Sequence, residues 1–457
     1  MYDLAIIGGG PAGYSAAFEA AKLQMRVVLF EREHLGGTCL NRGCVPTKYL
    51  SHVGKKYYEA CNPNPDGIQI ASAGIDFAVT SGRMERIISS LRTNLEGLLA
   101  YGQVAVVKGN AAVVDKNRVV CDEVVYEANN ILITTGSGPD KPFIDGAITS
   151  DELLKMEEIP RKLHVLGGGV VAVEFAQIFR MLGSEVTMSI RAGRLLRKWD
   201  EELALAVEKC MVEKGILIEK NCNFNDLTIE EGSVVLSALG RKPILPDAAS
   251  GLWELGADGG IVVDACGQTR TKGIYAAGDV TSGSVQLAHT GMEQGKRAVR
   301  HMAGFRLAEE PVVVNCIYGD QEAVSVGITE AEARAKGREV LTTKLSMVSN
   351  ARTLILGQEH GYTKLIAEKN TGKILGAQLL NERAGDMAAE IALAIDRGIT
   401  VNEMLETVRP HPSFCEAVTD ALGGLEMQLG ILNPQKAQKQ DRISEGERKG
   451  GKLRFWK

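Results

Sequence analysis

Two cysteines lie in the run Gly36-Gly37-Thr38-Cys39-Leu40-Asn41-Arg42-Gly43-Cys44-Val45-Pro46-Thr47-Lys48. Thiols at that spacing can bind a metal or cycle between dithiol and disulfide. No second Cys or His pair at metal spacing lies nearby, which argues against zinc. The run opens a helix, and a helix N-terminus favours the thiolate, the reactive form of cysteine. Dithiol–disulfide exchange is therefore the chemistry that Cys39 and Cys44 best suit. Such exchange needs a proton acceptor, and histidine titrates in the right range. His34, His52, His164, His301 and His360 sit in no motif and read as surface or packing residues. His411 is different: it lies between Pro410 and Pro412, and Glu416 follows at the start of a predicted helix, placed to orient the ring.

These residues need elements to position them. The chain opens with a buried strand, Leu4-Ala5-Ile6-Ile7, then Gly8-Gly9-Gly10-Pro11-Ala12-Gly13, then an alanine-rich helix. This is the dinucleotide-binding turn: Gly8 for the sharp bend, Gly10 for approach of a pyrophosphate, Gly13 for close helix–strand packing. A second strand, Arg26–Phe30, ends at Glu31, where a carboxylate can accept ribose hydroxyls. The pattern recurs at Leu163–Leu166 and Gly167-Gly168-Gly169-Val170-Val171-Ala172, with a helix expected from Val173 and a strand over Glu185–Ile190. The offset that places Glu31 after Gly8 lands on Ile190 after Gly167, so the second site lacks the ribose acid. Arg191 comes next, followed by Arg194 and Arg197. Arginine there can pair with a 2′-phosphate, which predicts a preference for NADPH.

The 457 residues suggest about three domains. With 45% hydrophobic and 24% charged residues, the composition is that of a globular protein. The formal net charge of -5 gives no global attraction to nucleic acid or anionic membrane. No apolar stretch is long enough for a membrane span, and no signal peptide is read at the start. Nine cysteines scattered over this length are not a secreted disulfide framework, so a cytoplasmic location is expected.

The cysteine run, Gly-Pro-Ala-Gly-Tyr at 10–14, Ala276-Ala277-Gly278-Asp279-Val280, Leu287-Ala288-His289 and His411-Pro412-Ser413 with Glu416 together resemble the pyridine nucleotide–disulfide oxidoreductases. Within that family the likeness is greatest to the dihydrolipoamide dehydrogenases. The resemblance runs from residue 2 to about 425. It implies FAD at the first dinucleotide site and NAD(P) at the second, with no metal. It implies that Cys44 is the thiolate facing the flavin and Cys39 the thiol exchanging with substrate. Lys48 would lie beside the flavin with Glu174 as its partner, Thr38 would line the FAD site, Asp279 would hold the ribityl chain, and Ala288 and His289 would sit near the ring's edge. Thr135-Gly136-Ser137 matches the crossing out of the FAD domain, and Leu236–Pro243, with Gly240, the return. His411, held by Glu416, would be the acid/base, supplied to Cys39 of the other subunit of a homodimer. A lipoyl domain of a 2-oxoacid dehydrogenase or glycine-cleavage complex is the implied partner. The alternatives are an NADPH-dependent reductase of another disulfide such as glutathione, a metal-ion reductase and a non-catalytic scaffold. The absence of paired C-terminal cysteines weighs against the third, and the intact Cys39, Cys44, Lys48 and His411 against the fourth.

The expected fold is α/β, with two Rossmann-like domains and a C-terminal α+β dimerisation domain. The FAD domain is expected at 1–143 and 247–308, a shortened NAD(P) domain at 144–246, the dimerisation domain at 309–430 and a flexible tail at 431–457. Strands are expected at Thr343–Val348 and Thr363–Ala367, and a helix over Ala388–Ile395. Cys415, beside the predicted base, reads as a buried structural thiol.

Overall fold

The computed structural model of the chain describes residues 1–430 apart from 64, 65, 141, 143 and 359. The tail expected at 431–457 lies outside the described residues. The chain divides into two compact units: Met1–Leu196 with Met211–Glu310, and Arg197–Cys210 with the residues from Pro311 onward.

In the first unit the elements run β1 (Tyr2–Ile7), α1 (Pro11–Lys22), β2 (Val27–Glu31), α2 (Gly37–Arg42), α3 (Cys44–Cys61), α4 (Phe77–Tyr101), β3 (Ala105–Lys108), β4 (Ala111–Val113), β5 (Arg118–Cys121), β6 (Val124–Ile133), β7 (Ser137–Pro139) and α5 (Ser150–Leu153). They continue through β8 (Lys162–Leu166), α6 (Val170–Met181), β9 (Glu185–Ser189), α7 (Glu201–Glu213), which starts in the segment counted with the second unit, β10 (Leu217–Glu219), β11 (Val234–Ser237), β12 (Arg241–Pro243), β13 (Ile274–Ala276) and α8 (Ala288–Met302).

A seven-stranded sheet has the order β3-β2-β1-β6-β5-β4, with β13 also paired to β6. Its β1 pairs in parallel with β2 (Ile7 with Phe30) and with β6 (Ile7 with Ile133). The run Leu4–Ile7 is apolar at every position because both faces are covered. Leu4 and Ile6 join a core with the alanines of α1, while Ala5 and Ile7 join Phe30, Ile131 and Ile133 on the other face. Burying each large side chain contributes about 1.5–3 kcal/mol, so a polar residue at Ile6 would break the element.

The second dinucleotide fold is a four-stranded parallel sheet, β10-β9-β8-β11. Its helix α6 starts at Val170, earlier than the expected Val173, because Gly169 is already the N-cap. β9 ends at Ser189, and Ile190 leaves the strand as a buried residue. Between β10 and β11 the chain forms a short 3-10 turn at Phe224–Asp226. The antiparallel pair β7–β12, with Ser137 opposite Pro243, carries the chain between the two folds.

The second unit holds β14 (Val314–Tyr318), β15 (Glu322–Gly327), α9 (Glu330–Ala335), β16 (Val340–Ser346), α10 (Ala351–Ile355), β17 (Tyr362–Glu368), β18 (Ile374–Asn381), α11 (Ala384–Arg397), α12 (Val401–Leu405) and α13 (Glu416–Leu429). Its antiparallel sheet has the order β14-β15-β18-β17-β16. One face, including Val324, Leu365 and Leu379, packs on α11 and α13 through Met387, Ile391, Val418 and Leu422. The strand expected to reach Val348 stops at Ser346, because the Ser346 side chain caps a 3-10 turn over Met347–Ser349.

Candidate active site

Cys39 lies in the short helix α2, and Cys44 is the first residue of the 18-residue α3. Only Gly43 separates the two helices. A Cβ there would lie 2.9 Å from the Thr38 carbonyl oxygen and 3.3 Å from the Cys39 Cα. The fold thus brings the two sulfurs to 2.6 Å, close enough for a bond between them.

That contact splits the pair. The Cys39 side chain pulls Cys44 down to about 7, with help from the nearby Lys48 ammonium and against burial. The same contact, together with burial, pushes Cys39 far above the ordinary thiol range. Of the two, Cys44 is the sulfur that ionises more readily. Tyr14 of α1 responds to this: burial and the negative charge on the cysteine pair push its hydroxyl up to about 12.

Lys48, one turn into α3, reaches Glu174 of α6. Its Nζ donates to both carboxylate oxygens, at 2.9 and 2.7 Å. Glu174 is buried and the Lys48 side chain is about one-third exposed. The pair that the sequence places 126 residues apart is therefore one structural unit beneath Cys44.

The groups expected to hold FAD fit a dinucleotide. Gly8 has φ +107°, and its Cβ would lie 2.4 Å from the Thr134 carbonyl; a Cβ on Gly13 would strike the Gly8 carbonyl. Gly10, the N-cap of α1, carries no side-chain cap, so the helix start is open to an anion. Glu31 accepts the Gly9 N–H at 2.8 Å through one oxygen and the Glu33 N–H at 2.8 Å through the other. Thr38 stands in α2, on the cysteine run itself. Asp279 accepts from Ser137 Oγ at 2.7 Å, and Arg241 Nε donates to that hydroxyl at 2.9 Å. Thr135 donates to the Ile244 carbonyl and ties the outgoing crossing to the return. Gly136 and Gly240, both at positive φ, face open space on these crossings. Ala288 opens α8, and His289 beside it is exposed.

At the second site Gly167, φ +124°, repeats the bend of Gly8 against the Ala238 carbonyl, and Gly169 is an uncapped helix start facing open space. Ile190 is buried and packs 3.2 Å from a Cβ placed on Gly168. Arg191 is exposed, with its guanidinium 5.3 Å from the centre of the Phe224 ring. Arg194 donates to the Leu196 carbonyl at 3.0 Å. Arg197 is exposed and belongs to the segment counted with the second unit.

In that second unit, His411 Nδ1 lies 2.7 Å from Glu416 Oε1, and Glu416 Oε2 accepts the Ser413 N–H at 2.7 Å. The Ser413 hydrogen bond, then His411, holds Glu416 below the usual carboxylate range. Arg409, almost fully buried, pairs with Glu390 at 2.9 Å, and Asn350 donates to the Ser413 carbonyl at 2.9 Å. These bonds pin both sides of the loop that presents His411. Cys415 is half-buried against the core, and burial raises its thiol.

Sequence reasoning missed Arg42, Glu33, Asp151, Arg92 and Arg241. Arg42 pairs with Glu33 and, at 3.1 Å, with Asp151. Arg92 of α4 donates to Asn41 at 2.8 Å. The position of Arg42 between the cysteines was the one available signal. His164 and His301 do prove to be packing residues, bonded to Ser189 at 2.9 Å and to Tyr275 at 3.0 Å. Among the described residues no cluster of three or more His, Cys, Asp or Glu could hold a metal, and no helix is long and apolar enough to cross a membrane.

Residues 2–295 match the model of the pyridine nucleotide-disulphide oxidoreductase family, and residues 313–422 match that family's dimerisation domain. The chain is 32% identical over 455 residues to a dihydrolipoyl dehydrogenase of Geobacillus stearothermophilus, covering 93% of this chain and 96% of the relative. It is likewise 32% identical to a mercuric reductase of Lysinibacillus sphaericus, over 91% of this chain and 81% of that one. Among solved structures, LpdA from Mycobacterium tuberculosis superposes with a TM-score of 0.85 at 26% identity, over 93% of this chain and 99% of its own. RclA from Escherichia coli, a HOCl-induced flavoprotein disulfide reductase, gives 0.81 at 26% identity, over 92% and 99%. With a close thiol pair in its first unit and the dimerisation fold in its second, the chain belongs to the pyridine nucleotide-disulphide oxidoreductases, FAD-dependent enzymes that move electrons between a disulfide and NAD(P).

Proposed function

We propose that this chain is a dihydrolipoyl dehydrogenase-type enzyme that works as a homodimer in the cytoplasm and oxidises a dihydrolipoyl group on a lipoyl domain of a 2-oxoacid dehydrogenase or glycine-cleavage complex. The observation that carries the reading is the close pair of Cys39 and Cys44 with Lys48 beside Cys44, which favours ionisation of that sulfur. Cys39 is the sulfur that exchanges with substrate: a substrate thiolate attacks it, the Cys39–Cys44 bond breaks, and Cys44 leaves as the stabilised thiolate. A second substrate thiolate then displaces Cys39, which closes the substrate disulfide and leaves the enzyme as the dithiol. His411 of the partner subunit takes the substrate proton at Nε2, because Glu416 holds Nδ1. Lys48 keeps a cation beside Cys44, and Glu174 keeps that cation in place.

Gly8, Gly10, Gly13, Glu31, Thr38, Thr135, Gly136, Asp279 and Ala288 would hold FAD, and Gly167, Gly169, Gly240, Arg191 and Arg197 the nicotinamide nucleotide. Bound FAD supplies the two-electron relay between the dithiol and the nicotinamide.

One observation favours a second reading, an NADPH-driven reductase of another disulfide such as glutathione. Where an NAD-binding site needs an acid, the chain has buried Ile190 followed by exposed Arg191. The test is an assay of the purified protein with dihydrolipoamide and with oxidised glutathione, each with both nucleotides. The lipoyl reading expects the lipoamide rate to be the larger. A glutathione rate far above it would replace the first reading by the second.

A further inference from the structure

Each of the four residues between Cys39 and Cys44 is tethered to a different neighbour. Leu40 packs against the core shared by α1 and α8. Asn41 donates to the carbonyls of Leu35 at 3.0 Å and Gly37 at 2.9 Å, and accepts from Arg92. Gly43 lies against the backbone of Thr38 and Cys39. Arg42 reaches furthest. Its Nη1 pairs with Glu33, just past β2, and its Nε with Asp151 of α5 at 3.1 Å. Glu33 is itself bonded through its N–H to Glu31. Asp151 Oδ1 is buried with no hydrogen-bond partner, so the Arg42 contact at Oδ2 is the direct ion pair of this carboxylate, with the Arg241 guanidinium acting on it from further off.

We infer that Arg42 is a positioning residue for the redox pair: by tying the loop between Cys39 and Cys44 to Glu33 and Asp151 at once, it holds the sulfurs within bonding reach and lowers the reduction potential of their disulfide. The inference rests on Cys39 and Cys44 being the redox pair proposed above. On oxidation two thiols lose two protons and two electrons, and one S–S bond forms. A loop already held in the closed geometry loses less conformational freedom in that step, which favours the disulfide. The guanidinium charge would act the other way, by favouring the thiolate of the dithiol form. That effect is small here. Glu33 and Asp151 neutralise Arg42, and the largest side-chain charges acting on Cys44 are those of Lys48 and Glu174, with the Arg241 guanidinium also in range. The tether therefore outweighs the charge.

The test equilibrates the FAD-loaded full chain with set ratios of reduced and oxidised dithiothreitol, which accepts the two electrons and protons. Alkylation and mass measurement then count free Cys39 and Cys44. R42M should lower the equilibrium constant for disulfide formation about tenfold, raising the potential by about 30 mV. D151N should act similarly, and the double variant R42M/D151N should fall no further, because both remove one tether. R42K, which keeps the charge without the fork that spans both carboxylates, should fall between. FAD content and Tm are read alongside, and D151N and R42K decide the matter if R42M does not load FAD. Constants unchanged in folded, FAD-loaded variants, a lowered potential, or strictly additive effects would overturn the role of Arg42. A wild-type pair that does not cycle at all would instead overturn the redox reading itself.

Discussion

Lys48 Nζ donates to both oxygens of Glu174, at 2.7 and 2.9 Å, and so locks the helix that begins with Cys44 to the first helix of the second dinucleotide fold. Lys48 lowers the Cys44 pKa and Glu174 raises it. K48M should therefore move the Cys44 titration upward from about 7 by about one pH unit, and E174Q should move it down. The thiolate absorbance of the reduced protein, followed against pH, reports both. Opposite signs would show that the cation does not govern the sulfur.

The same titration has a prediction for the wild type. Cys44 is an acid with a depressed pKa, so its thiolate is present above about 7 and lost below it. Cys39 keeps its proton throughout the neutral range. One thiolate, not two, should appear as pH rises through 7. C39A, which takes away the donor, should move that midpoint upward, because the side chain of Cys39 is the largest influence on Cys44; a midpoint that stays put would show that Cys39 does not govern the Cys44 thiolate.

H411Q should keep bound FAD and the Cys44 titration, yet lose disulfide turnover by about a hundredfold or more. E416Q, which leaves the ring in place but takes away its ionised partner, should lose about tenfold. Normal turnover in H411Q would exclude this histidine as the base.

If Cys39 and His411 meet across a dimer, two dead variants should complement each other. Mixing C39S with H411Q subunits and reassembling them gives hybrids in half of the dimers, each with one intact site, so about a quarter of wild-type activity should return. No recovery in a mixture that demonstrably contains hybrids would place both groups in the same subunit.

Arg191 should act on nucleotide choice and not on thiol chemistry. R191S should reduce kcat/KM for NADPH about tenfold while leaving that for NADH nearly unchanged. Equal or better use of NADH by the wild-type protein would reject the preference at once.

Much of this was legible in sequence because it depends on local chemistry. Gly8 and Gly13 must be glycine to make the bend and the helix contact, and Leu4–Ile7 must be apolar to lie under covered faces, so the dinucleotide folds can be read off the chain. The thiols, their spacing and the acid five residues past His411 are likewise local. Element ends were less legible: Gly169 began α6 a turn early, and the Ser346 cap turned the expected end of a strand into a 3-10 turn. That Cys44 is the thiolate was implied by the motif it sits in; tertiary structure supplied the surroundings that favour it, the Lys48 ammonium and the contact with Cys39. Tertiary structure alone revealed Arg42 bridging Glu33 and Asp151, since nothing along the chain marks residues so far apart as partners. Residue type and spacing determine which chemistry is available; folding fixes distances and burial, and these determine where the charge resides.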